Sequence, residues 1–135
     1  AGWDTIKHQD FLKEIISEFK QNGIRTSIFI DTDLKLIEAA AKTGADRIEL
    51  YTEHFASEYE KGNKEAIKSY TEAATLAHKL GVGINAGHDL SLENIEFFKQ
   101  NIPHLAEVSI GHALISESLY LGLQNVVNMY LHRLQ

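Results

Sequence analysis

Cysteine is absent from this 135-residue sequence, which removes disulfides, thiolate metal sites and a cysteine nucleophile at once. That absence also agrees with a reducing compartment. Basic charge is in deficit: 13 Lys and Arg against 19 Asp and Glu give a formal net charge of −6. A nucleic-acid footprint needs a clustered surplus of cations, so no nucleic-acid partner is expected. No apolar run approaches the ~20 residues needed to span a bilayer, and Ala1 to Asp10 lacks the apolar centre of a signal peptide. The expectation is a cytoplasmic chain without a membrane partner. Missing too are a Gly-x-Ser-x-Gly elbow, a P-loop and a Gly-x-Gly-x-x-Gly turn, so serine acyl transfer and nucleotide binding have no support. The 7 histidines include no His-x-x-x-His pair beside a carboxylate, and no metal site is expected.

What remains is an ordinary mixture of apolar and charged residues, enough for one core. Phe11, Leu12, Ile15, Ile16 and Phe19 recur at helical spacing and predict a helix from about His8 to Gln21, stopped by Asn22-Gly23. Arg25 to Asp31 reads as a buried strand, after which Asp33 can cap a helix carrying Leu36, Ile37, Ala40 and Ala41. Gly44 ends that helix and Asp46 to Tyr51 forms a second strand. The polar stretch Glu53 to Lys64 reads as a long loop, and its length and polarity suggest a lid. A helix with Ile67, Tyr70, Ala74, Ala77 and Leu80 on one face closes at Gly81, before a strand from Val82 to Ala86. Ser91 can cap a helix with Leu92, Ile95 and Phe98; Pro103 lies in the next loop, and a fourth strand runs near Glu107 to Ile110. One final helix uses Leu119, Leu123, Val126, Val127, Tyr130 and Leu134.

A helix followed by four strand-helix units predicts an α/β fold with a parallel sheet, because parallel strands need long crossovers. The pattern admits a small doubly wound domain or half of a barrel. Residues 1–135 form one segment with no internal linker.

Candidate chemistry clusters at the predicted strand ends. Strand alternation separates Glu49 from Ile48 and Leu50, placing its carboxyl on the opposite face. Such a glutamate is either functional or locked in a structural ion pair. The loop Asn85-Ala86-Gly87-His88-Asp89 lies where parallel α/β folds hold ligands, and its glycine permits close approach. His88 is a candidate proton donor or acceptor, or a plain loop histidine. Gly111-His112 ends the fourth strand ahead of a helical segment, whose backbone N–H groups can meet a phosphate.

Taken together, Ser27-Ile28-Phe29-Ile30-Asp31, Ile48-Glu49-Leu50-Tyr51-Thr52, Asn85-Ala86-Gly87-His88 and Ile110-Gly111-His112-Ala113 resemble, in order and spacing, successive strand ends of the pyridoxine 5′-phosphate synthase family. The resemblance implies a (β/α)8 TIM barrel, of which this chain supplies about the last four strand-helix units, the N-terminal half lying outside it. It implies condensation of 1-deoxy-D-xylulose 5-phosphate with 3-amino-2-oxopropyl phosphate to pyridoxine 5′-phosphate, with phosphate and water released and no cofactor. By the same resemblance His88 is the proton donor and Glu49 stabilises a transition state. Asp89, Gly111 and His112 hold the aminoketone phosphate. Asp89 stands where many members have glycine, and Tyr51 and Glu53 replace the histidine and glycine of a common Ile-His-Thr-Gly run. A carboxylate beside a phosphate is repulsive unless its side chain turns away or caps the following helix, and for Asp89 the cap, through backbone N–H contact, is expected. Alone, the chain is expected to be inactive, and its open sheet edges and apolar inner face should make it associate with its missing half, self-associate or dissolve poorly. The resemblance also implies a homo-oligomer. The alternative is a non-catalytic phosphate-binding or scaffold domain derived from the same barrel.

Overall fold

The computed structural model describes residues 1–135, and it bears out the strand-helix alternation. Helix α1 (Gln9–Gln21) buries Leu12 and Ile16, and Gly23, at φ 71°, turns the chain out of it. Strand β1 (Ser27–Ile30) follows, then α2 (Leu34–Ala41), whose first turn is capped by the Asp33 carboxylate accepting from Lys35 and Leu36 N–H. Strand β2 (Arg47–Leu50) leads into α3 (Glu53–Glu60) and, through a short 3-10 turn (Lys64–Ala66), α4 (Ile67–Lys79). Strand β3 (Gly83–Gly87), α5 (Ile95–Asn101), β4 (Leu105–Ser109), α6 (His112–Leu121) and α7 (Leu123–Arg133) complete the chain.

The four strands pair in parallel in the sequential order β1-β2-β3-β4. A doubly wound sheet reverses direction at a switch point, and this one does not. Right-handed crossovers that always step the same way lay their helices on one face. Burial agrees: Ile28, Ile30, Ile48, Leu50, Ile84 and Ala86 lie within one buried apolar cluster with Ile37, Ala40, Ala73, Ala74 and Phe98 of the helices. No helix is long and apolar enough to cross a membrane.

Four expectations are corrected. The stretch from Glu53 is largely helix, because Phe55 and Tyr59, one turn apart in an otherwise polar run, pack with Tyr70, Phe97 and Phe98. Phe55 is fully buried, which removes the length of free chain on which the lid expectation rested. The helix after β3 starts at Ile95, not near Ser91; the Ser91 hydroxyl accepts from Glu93 N–H in a preceding turn, and Asn94 Oδ1 accepts from Ser91 N–H. The single final helix is two, broken at Gly122, whose φ of 82° and ψ of 137° no helix accommodates. Lastly, the uncovered sheet face is polar rather than apolar: Ser27, Arg47, Glu49, Asn85, Glu107 and Ser109 alternate out of the helix-covered side, with Phe29 among them.

Candidate functional site

Across the uncovered face, strand register aligns Phe29, Glu49, Asn85 and Glu107 in one row. A bulge in β4, where Ala106 has no partner between the Ile84–Leu105 and Asn85–Glu107 pairs, brings Glu107 onto this face. Below the row, Arg47 donates to Asn85 Oδ1 at 2.8 Å and to Glu107 Oε2 at 2.8 Å, while Arg25 reaches Glu107 at 3.0 Å. The arginines therefore pair with Glu107, and Glu49 enters no ion pair. Of the two readings open for Glu49, the structural ion pair is the one the geometry lacks. Burial pushes its carboxyl above the ordinary value, the nearby His88 pulls it back, and the charge of Glu107 adds to the rise.

Glu49 lines a cavity of about 420 Å³ together with Ala1, Ser27, Phe29, Tyr51, His88 and Asp89. The cavity runs along β1 from Ser27 and Phe29 to Tyr51, His88 and Asp89, which follow the C-terminal ends of β2 and β3, where parallel α/β sheets bind ligands. Phe29 packs against both Tyr51 and His88, at centroid distances of 5.2 and 5.8 Å, and so forms an aromatic wall beside the carboxyl. His88 is exposed and sits at φ 54°, in the left-handed region, where a residue with a side chain is uncommon. Its backbone N–H donates to Ser109 O at 3.0 Å, tying the loop to β4. Gly87 precedes it for a steric reason: a Cβ there would lie 2.1 Å from Ser109 O.

Glu49, His88 and Asp89 thus meet in one cavity, and Gly111 and His112 do not line it. Those two lie at the end of the neighbouring strand, where Gly111 precedes α6 and His112 is its first residue, both exposed. Ile115 N–H is the first of α6 to find a backbone acceptor, Gly111 O, which leaves the earlier amides of that turn without one. Asp89 corrects its expectation. It does not cap α5, which begins at Ile95. Its Oδ2 is buried without a hydrogen-bond partner, its N–H points to Thr52 Oγ1 at 3.4 Å, and its carbonyl accepts from Asn94 Nδ2 at 3.4 Å. Phe29 and Tyr51 escaped the sequence reading as cavity walls, although they share the alternation that singled out Glu49.

A family model for pyridoxal phosphate biosynthesis protein PdxJ matches residues 1–135. The chain belongs to the PdxJ family. Among PdxJ relatives, the pyridoxine 5′-phosphate synthase of Flavobacterium johnsoniae is 71% identical over 135 residues. The synthases of Christiangramia forsetii and Cytophaga hutchinsonii are 66% and 58% identical over the same length. In each case the alignment takes in 100% of this chain and 57% of the relative. The chain therefore spans little more than half the length of the curated relatives it matches, and the matched part is their C-terminal portion.

Proposed function

We propose that this chain supplies the C-terminal half of a (β/α)8 barrel enzyme, pyridoxine 5′-phosphate synthase. The reaction is the ring-closing condensation of 1-deoxy-D-xylulose 5-phosphate with 3-amino-2-oxopropyl phosphate, a transferase-class step that releases phosphate and water. A sequential parallel sheet with helices on one face and a polar open face supports the barrel, because such a sheet closes only by adding strands at its edges. The remaining strands come from an N-terminal half, and the assembled enzyme is a cytoplasmic homo-oligomer.

The observation that carries the reading is the shared cavity of Glu49 and His88 in a chain of this family. His88 gives a proton to the oxygen that leaves as water; its imidazole stands free at the cavity mouth and can reload from solvent. Glu49, unpaired and partly withdrawn from water, faces positive charge that develops as the amine and ketone condense. The amides of the first turn of α6, with Gly111 and His112, and the backbone at Asp89 hold the aminoketone phosphate. The exposed Gly111, with nothing within 4 Å of where its Cβ would lie, leaves room for that group.

The test is H88A in an enzyme assembled from this chain and the N-terminal portion of the Flavobacterium johnsoniae synthase. Loss of a positioned proton donor is expected to slow product formation about 100-fold or more, with the aminoketone phosphate still bound. Turnover equal to that of the unchanged assembly would remove His88 from the chemistry.

A further inference from the structure

The left-handed backbone at His88 is a conformation that residues with a side chain rarely adopt, so something must hold it there. Its immediate neighbours do so. The Thr52 hydroxyl, fully buried, donates to the carbonyl of Gly87 and accepts from the N–H of Asp89 at 3.4 Å. One oxygen thereby grips the residues on both sides of His88, while His88 N–H is held by Ser109 O at 3.0 Å. The corner is fixed from β4 on one side and from the end of β2 on the other.

Thr52 is free for this because it does not do what its position in the chain suggests. It stands immediately before α3, where a threonine normally accepts from its own helix, yet it makes no side-chain cap. The Tyr70 hydroxyl serves that end instead, accepting from Phe55 N–H at 3.2 Å and donating to Tyr51 O at 3.0 Å. A hydroxyl has one proton to give and lone pairs to receive, so the Thr52 oxygen suits both bonds of the loop.

We propose that Thr52 is a positioning residue that sets the orientation of His88 over the cavity by clamping Gly87 and Asp89. It touches no substrate; it acts through the backbone of the loop. The proposal rests on the synthase reading for its kinetic test but not for its structural one.

The experiment uses the assembled enzyme with T52V, which keeps the shape and removes the hydroxyl, and T52S, which restores it. T52V is expected to lower kcat about tenfold to a hundredfold, the scale on which a small misplacement of a reacting group acts. T52S is expected near the unchanged rate. In the H88A background T52V adds no further loss, because the two residues act as one unit. Exchange of the Asp89 amide, read by NMR, should accelerate in T52V and not in T52S. Unchanged turnover in T52V, or the same loss with and without His88, overturns the proposal. If the unchanged assembly yields no product, the synthase reading fails, and the Asp89 amide alone decides: equal exchange in T52V and T52S overturns the clamp. T52A replaces T52V should the valine variant not assemble.

Discussion

At Glu49, burial raises the carboxyl above its ordinary value of 4.5, and His88 opposes the rise. A folded-state pKa above the unfolded one means that the native chain keeps this proton longer as pH rises. Its contribution to stability is full below the unfolded value and is lost as pH climbs from there through the raised folded value. In the assembled protein, urea midpoints measured between about pH 4 and 7 should therefore decline less steeply in E49Q than in the unchanged protein. Identical slopes would show that Glu49 titrates as it does in the unfolded chain. The position of Glu49 was legible in the sequence, because Ile48 and Leu50 mark the covered face and leave the carboxyl to the other. The use of Thr52 was not. A threonine ahead of a helix reads as a cap, and only the tertiary placement of the Tyr70 hydroxyl shows otherwise. Asp89 was misread for a related reason: the helix it was expected to cap begins several residues later.

Among the elements, β3 and β4 approach each other closely beside His88. Gly87 pairs with Ser109, and a methyl group on Gly87 would lie 2.1 Å from the Ser109 carbonyl oxygen. G87A must push β4 away and break the His88 bond to Ser109, at a cost of about 1–3 kcal/mol. A urea titration of the assembled protein checks the loss, and activity should fall with it, since the same displacement moves His88. Stability equal to that of the unchanged protein would mean that the strands yield without strain. Strands and the α1, α2 and α4 helices were readable from period and stop signals because each carries a full apolar face. Helix α3 hid because Phe55 is its one buried residue, in a run otherwise rich in Glu. The break at Gly122 hid because the apolar spacing continues from Leu119 through Leu123, and only the backbone angle at the glycine reveals the turn.

For the whole molecule, strand order is the decisive property and the one that pattern alone cannot supply. Alternating strands and helices fit an open doubly wound sheet as well as a half-barrel, and the sequential pairing, with no switch point among the four strands, supports the proposed half-barrel. The open face of the sheet is polar, and it holds Glu49 with the Arg47–Glu107–Arg25 network below it. Two exposed apolar regions flank the sheet, one with Trp3, Phe11, Phe19 and Ile24, the other on α6 and α7 with Leu119, Tyr120 and Leu123. Both lie at the first and last elements of the chain, the two sides on which the proposed barrel would add strands and helices. The most direct test is to mix this chain with the N-terminal portion of the Flavobacterium johnsoniae synthase and measure pyridoxine 5′-phosphate formed from the two phosphorylated substrates. Product is expected from the one-to-one assembly and none from either part alone; a soluble one-to-one assembly that yields no product would overturn the synthase reading.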